Sequence, residues 1–349
     1  MPSSRSGSPI SPSSPGSRRV RPATIVRSPS RPPAPGGRPG GPPPGSEPGI
    51  PAPAPGSKLG VWIHAARPLT LPASVAPVIV ASAAALGEGR FRPVVLLAAL
   101  VAALLIQIGA NLANDLFDFK RGADTTERTG PVRVTQAGLL SEREVAAGTA
   151  VTLGLAFLVG LYLVWAGGWP ILAVGMASIA GAILYTGGPW PLGYHGLGDL
   201  FVFIFFGLVA VVTTYYLHTG EAGAVAFTLA LPVAFIVTDI LVVNNLRDIA
   251  TDRAAGKRTV AVRIGARATR IQYVLFLAGA YAVPLALGLT GRMGSLFWLP
   301  LLSLPLAYRL SRTVLGGSEG PDLNRVLKGT GQLHLLFAIL LGLALVWRP

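Results

Sequence analysis

The sequence contains no cysteine. That excludes disulfides, thiolate nucleophiles, zinc ribbons and iron–sulfur clusters. Charge is scarce too: 13% of the 349 residues are Asp, Glu, Lys or Arg, about half the share in a soluble domain. Only four histidines are present, His64, His195, His218 and His334, and their scatter argues against a histidine metal site. Acids number 15 against 29 Lys and Arg, a net charge of +14. In a soluble protein that excess would point to nucleic acid. Here 51% of residues are hydrophobic, so the expected partner is an anionic lipid bilayer surface and no nucleic acid.

Residues 1–57 stand apart. They are mostly Pro, Ser, Gly and Arg, with seven Arg and one acid, Glu47. Such a stretch buries too little apolar surface to offset its ordering entropy, so a disordered tail is expected. It lacks the apolar core of a secretory signal. An Arg- and Ser-rich, acid-poor leader also fits an organelle transit peptide, but its prolines spoil an amphipathic helix.

Residues 58–349 read as an all-α, polytopic membrane bundle of about nine transmembrane helices. The expected spans are 69–87, 93–117, 145–166, 170–187, 198–218, 224–247, 270–290, 294–314 and 327–347, each near the roughly 20 apolar residues needed to cross a bilayer. Interior prolines such as Pro77, Pro232 and Pro284 are tolerated in membrane helices. Lys and Arg crowd the connections after spans 2, 6 and 8, whereas 167–169 and 219–223 have none. The positive-inside rule therefore puts the basic loops and the N-terminus in the cytoplasm and the C-terminus outside. The tryptophans fall at or near expected span ends, as an interfacial belt requires.

Two polar stripes end on the cytoplasmic side. In the first, Gln107, Asn111, Asn114, Asp115 and Asp118 share a helical arc of about 100°, followed by Lys120, Arg121 and Asp124. In the second, Asn244, Asn245, Asp248 and Asp252 share a similar arc, with Arg247, Lys257 and Arg258 close by. An Asp at the bilayer centre costs about 2.5–3.5 kcal/mol, so such stripes need a reason. Carboxylates at these spacings suit a hard divalent cation, and Mg²⁺ commonly takes one or two of them with waters and phosphate oxygens. Facing stripes would hold two Mg²⁺ ions and a diphosphate between them, with the nearby Lys and Arg neutralising the remaining charge. The alternative is polar glue between helices beneath solvated basic loops. A secondary transporter would also be polytopic, but its site would sit near the bilayer midplane. Asp118 and Asp248 lie 130 residues apart, on helices offset by four, which hints at a parallel internal repeat.

These residues resemble those of the UbiA superfamily of intramembrane aromatic prenyltransferases, and within it the 1,4-dihydroxy-2-naphthoate branch of menaquinone synthesis. The resemblance lies in "ARPLTLPASVAPV" from Ala66, "QIGANLANDLFDFKRGADTTERTGPVRV" from Gln107, "LYTGGPWPLGYHGLGDLFVFIFFGLVAV" from Leu184, "TYY" at Thr214 and "NNLRDIATDRAAGKRTVAVRIG" from Asn244. It extends over about residues 60–349. The superfamily's first motif often carries a third Asp four residues after the second; here that position is Gly122, and Asp124 follows.

The resemblance implies a polyprenyl diphosphate donor, a 1,4-dihydroxy-2-naphthoate acceptor, and release of diphosphate and CO₂ to give a demethylmenaquinol. It implies Mg²⁺ held by Asn114, Asp115, Asp118, Asp124, Asp248 and Asp252, with Asp115, Asp118, Asp248 and Asp252 carrying the catalysis. Arg128, Arg133, Arg247, Lys257 and Arg258 would stabilise the departing charge, and Asn111, Lys120, Asn244 and Asn245 would help bind substrate. The implied location is the inner membrane of a bacterial cell, with the site facing the cytoplasm. Another acceptor, such as 4-hydroxybenzoate, homogentisate or haem, is the nearest rival within the superfamily. Arg67 reads either as a ligand for the acceptor carboxylate or as an interfacial anchor. Tyr185, Trp190 and Tyr194 read as an aromatic lid or as an interfacial girdle. Asp199 reads first as a helix cap.

Overall fold

The computed structural model describes residues 57–123, 130 and 132–347. The expectations for the tail up to residue 56, and for Asp124 and Arg128, lie outside the described residues. Among those residues the chain is helical, without strands.

The chain enters through α1 (Lys58–Ala66) and bends by 53° into α2 (Pro72–Gly87). Three long antiparallel-type passes follow the same logic of apolar length. They are α3 (Pro93–Lys120), α4 (Glu142–Gly167) and the shorter α5 (Trp169–Leu184). A capping box starts α4: the Ser141 hydroxyl accepts from the Glu144 N–H at 3.3 Å, and Glu144 accepts from the Ser141 N–H at 2.9 Å. The next span, Gly198–Thr219, is α6 (Gly198–Val202) and α7 (Ala210–Thr219) joined through a π-helical segment, Phe203–Val209. Then come α8 (Ala224–Arg247), the short α9 (Ile249–Ala254), α10 (Val260–Leu289), α11 (Leu304–Leu315) and α12 (Pro321–Val346).

Six of these elements are long and apolar enough to cross a bilayer, and the bent α1–α2 pair makes a seventh. The chain is a multi-pass membrane protein. The expected count of nine is not reached by that measure, for local reasons. Pro170 and the turn after Leu184 confine α5 to 16 residues. The expected span 294–314 is broken: Pro300 and Pro305 each start a new short element, a 3₁₀ turn at Leu299–Ser303 and then α11.

The packing is that of a membrane bundle. Large side chains such as Leu158, Leu275, Leu289 and Leu343 are exposed, whereas polar His334, Thr330 and Asp239 are fully buried. The largest core joins α2, α7, α8, α10, α11 and α12 around Ala76, Val80, Ile236, Tyr273, Leu333 and Phe337. Close approach is built in at Gly207, where an added Cβ would lie 2.4 Å from the Ala234 Cα. That contact seats the π-helical segment directly on the α8 backbone. A second core ties α1, α3 and α4 through Ala65, Leu112, Leu116 and Val145. Between these two cores, the C-terminal ends of α3 and α8 face one cavity.

Candidate active site

The cavity holds about 400 Å³ and changes character along its length. Its deep wall is apolar, with Val78, Ala103, Phe157, Leu161, Ile171, Met176, Phe205 and Val209. Its other end carries Asn114 and Asp118 from α3, Asn244 and Asn245 from α8, Asp248 at the α8 cap, and Asp252 from α9. Lys257 follows α9, and Arg133 arrives from the α3–α4 connection. The two stripes read from the sequence therefore meet across one space.

Asp118 is the most heavily engaged of the carboxylates. It is 2% exposed. Its Oδ1 accepts from the Tyr194 hydroxyl at 2.7 Å and from Lys257 Nζ at 3.5 Å, and its Oδ2 accepts from Arg133 Nη2 at 3.1 Å. The Lys257 ammonium also lies 3.9 Å from Asp252 Oδ1, so one cation stands between the stripes. The same ammonium sits 4.6 Å from the centre of the Tyr194 ring.

Asp248 is held from behind. Arg247 donates Nε to Oδ1 at 2.8 Å and Nη2 to Oδ2 at 2.6 Å, a fork on the carboxylate. Its remaining donors reach Asn244 Oδ1 at 2.8 Å and Asn324 Oδ1 on α12 at 2.7 Å. The Arg247 side chain is 0% exposed and forms no part of the cavity wall. Asn114 accepts from the Thr186 hydroxyl at 2.8 Å. Asn245 donates to Asp199 Oδ1 at 3.2 Å, and Gln272 from α10 donates to Oδ2 at 2.8 Å. Asp199 is thus a buried tie between α6, α8 and α10. It makes no cap hydrogen bond, since Leu197 holds the cap position.

Several expected site residues point elsewhere. Asp115 is buried away from the cavity; its two oxygens accept the Val134 and Thr135 N–H groups, each at 3.0 Å. It pins the loop that delivers Arg133. Lys120 is exposed and pairs with Glu142 at 3.7 Å. Arg258 is exposed; its N–H donates to the Tyr194 carbonyl at 2.8 Å, and its side chain does not line the cavity. Gly122, at φ 66°, closes the end of α3 in the left-handed region. The helix therefore stops before the position at which the superfamily's third Asp is expected.

The aromatic lid divides in the same way. Tyr185 lines the cavity and packs on Phe201 at 5.5 Å. Burial, then the charges of Asp199, Asp118 and Asp252, push its phenol upward, so it remains a donor. Trp190 is exposed and stacks on His195 at 4.2 Å. Tyr194 contributes a hydroxyl to Asp118, a contact that periodicity does not reveal. On the opposite wall Arg67, Thr70, Gln107 and Asn111 also line the cavity.

Residues 74–326 match the UbiA prenyltransferase family. The chain belongs to that family. It is 37% identical over 302 residues to a 1,4-dihydroxy-2-naphthoate octaprenyltransferase of Escherichia coli, covering 81% of this chain and 95% of the relative. A Mycobacterium tuberculosis protein of the same description is 39% identical over 288 residues, 82% of this chain and 97% of the relative. The UbiA fold is seen in an apo homologue from Aeropyrum pernix, with TM-score 0.62 at 16% identity over 77% of this chain and 96% of that one. A homologue from Archaeoglobus fulgidus, solved with GPP and Mg²⁺ bound, has TM-score 0.59 at 14% identity, covering 82% and 99%.

Proposed function

We propose that this UbiA-family protein transfers a polyprenyl group from polyprenyl diphosphate to 1,4-dihydroxy-2-naphthoate, releasing diphosphate and CO₂ and giving a demethylmenaquinol. One observation carries the reading. Two acidic helix ends, with Lys257 between them, close one end of a cavity whose remaining wall is apolar. The polar end suits a diphosphate and the apolar length suits an isoprenoid chain. The naphthoate-specific relatives support the choice of acceptor.

The donor set fits Mg²⁺. It is entirely oxygen: Asp118, Asp248 and Asp252, with Asn114 beside them. Among the described residues no three acidic or histidine side chains form a ready-made metal cluster. None is required, because Mg²⁺ takes one or two carboxylates and completes its shell with water and substrate phosphate. Bound there, the ion supplies charge neutralisation for the leaving diphosphate. Arg133 and Lys257 add fixed positive charge at the same end and stabilise the leaving group as its bond to the prenyl carbon breaks. Arg247 orients Asp248, and Asp115 orients the Arg133 loop.

The allylic carbon left behind is attacked by the electron-rich ring of the acceptor. The carboxylate then leaves as CO₂ and its electron pair restores aromaticity, so the transfer needs no strong base. Arg67, on the other wall, receives the acceptor carboxylate before that step. Tyr185 screens the reacting carbon from water. The charge bias of the loops places this end of the cavity at the cytoplasmic face of a bacterial inner membrane.

The test offers purified protein several aromatic acids (1,4-dihydroxy-2-naphthoate, 4-hydroxybenzoate and homogentisate) with a polyprenyl diphosphate and Mg²⁺. Mass spectrometry should find a prenylated, decarboxylated naphthalenediol as the main product. EDTA should abolish it and Mg²⁺ restore it. A faster product from another acceptor, or full activity after chelation, would overturn the reading.

A further inference from the structure

Away from the acidic end, the cavity wall carries a second polar group built around Arg67. This residue caps α1 at φ 53°, ψ 70°, where the chain turns into α2. Among the described residues it is the one non-glycine with positive φ. An L-residue there costs about 1–2 kcal/mol, so its surroundings must fix it. They do so through side chains rather than backbone. Asn111 Nδ2 donates to the Ala66 carbonyl and to Thr70 Oγ1, each at 3.0 Å. The Thr70 hydroxyl donates to the Arg67 carbonyl at 2.9 Å. Gln107 Nε2 donates to the same hydroxyl at 3.3 Å, and its Oε1 accepts from Ser74 at 3.4 Å. The carbonyls on both sides of the turn are thereby satisfied within a membrane bundle, where water does not substitute.

The polar stripe of α3 thus has two tasks. Asn114 and Asp118 face the acidic end. Gln107 and Asn111, one turn apart, hold the Arg67 turn. Arg133 and Lys257 are both committed to Asp118, whereas Arg67 approaches the cavity from a different wall.

We propose that Thr70, with Asn111 and Gln107, is a positioning unit that sets the Arg67 guanidinium for the carboxylate of the aromatic acceptor and so makes the site prefer an acid to a neutral ring. The proposal rests on the reading of Arg67 as the carboxylate ligand. A guanidinium reads a carboxylate through a planar fork, and a small rotation of its backbone turn misaligns both donors.

The experiment uses the full-length protein in detergent. It measures KM for 1,4-dihydroxy-2-naphthoate, KM for the polyprenyl diphosphate, and competitive inhibition by 1,4-naphthalenediol, the ring without its carboxylate. Thr70→Val should raise the acid KM about tenfold, leave the diphosphate KM within about twofold, and leave inhibition by the neutral ring unchanged. Thr70→Ser should restore the acid KM. Arg67→Ala should raise the acid KM at least as far, and adding Thr70→Val to it should cost nothing more. If Thr70→Val does not fold, Asn111→Leu removes the amide donor to both Ala66 and Thr70 and carries the same test. An unchanged acid KM in the folded Thr70 or Asn111 variant, beside a raised one in Arg67→Ala, overturns the positioning unit and spares the role of Arg67. An unchanged acid KM in Arg67→Ala, or a raised diphosphate KM instead, removes the underlying reading as well.

Discussion

Asp118 and Asp248 are the same residue type at matching helix ends, yet their surroundings differ. Asp118 gathers Tyr194, Arg133 and Lys257 at the cavity, whereas Asp248 is gripped from the protein side by Arg247. Replacing either Asp by Ala should lower kcat by about a hundredfold or more while the protein stays folded, as for loss of a preorganised charge. Near-normal turnover in both variants would remove the two-stripe account. Arg247→Lys should behave differently. It keeps the charge but loses the fork, so the diphosphate KM should rise about tenfold while the acid KM holds; a variant with unchanged diphosphate KM would free Asp248 from its dependence on Arg247. Helical spacing made these acids legible, because positions three and four apart share a face. It also grouped Asp115 with them, since a 100° arc does not separate a cavity-facing carboxylate from its neighbour. What turns Asp115 away is a pair of backbone N–H groups at Val134 and Thr135, 19 and 20 residues further on, and no periodicity within α3 contains that information. Arg247 is hidden similarly, because its partner Asn324 comes from α12.

At the level of elements, apolar length alone located α3, α4, α8, α10 and α12, whose long runs tolerate only one register in a bilayer. It failed where proline sits near the middle of a run. Pro300 and Pro305 split the expected span 294–314 into a 3₁₀ turn and α11, because each lacks the N–H that a continuous helix would need. The π-helical segment of Gly198–Thr219 was equally hidden, since its side-chain composition is that of any apolar helix. Its seating on α8 depends on Gly207, whose missing Cβ leaves room for the Ala234 backbone. Gly207→Val should therefore separate the segment from α8 and lower the thermal midpoint in detergent by several degrees. An unchanged midpoint would mean that the contact is not under compression. The Asp115 clamp is a second element-scale test. Asp115→Ala removes two charge-assisted hydrogen bonds, each worth about 1.5–3 kcal/mol. Protease cleavage between residues 130 and 140 should become faster in that variant, and equal cleavage rates would argue against the clamp.

For the whole molecule, charge distribution and chemistry must agree on one membrane face. Both acidic helix ends and the basic loops belong to the same side, and the Lys- and Arg-free connections at 167–169 and 219–223 belong to the other. Single cysteines introduced at Gly168 and Gly256 test this cleanly, because the native chain has none. In intact cells an impermeant thiol reagent should label the first and spare the second; the reverse pattern would invert the topology and separate the site from cytoplasmic substrate. The most direct test of the central claim is the stoichiometry of a single transfer. Protein, Mg²⁺, polyprenyl diphosphate and 1,4-dihydroxy-2-naphthoate labelled in its carboxyl carbon are mixed, and diphosphate, labelled CO₂ and prenylated product are counted together. The account predicts one of each per turnover. Diphosphate released without CO₂, or a prenylated product that keeps its labelled carboxylate, would contradict it.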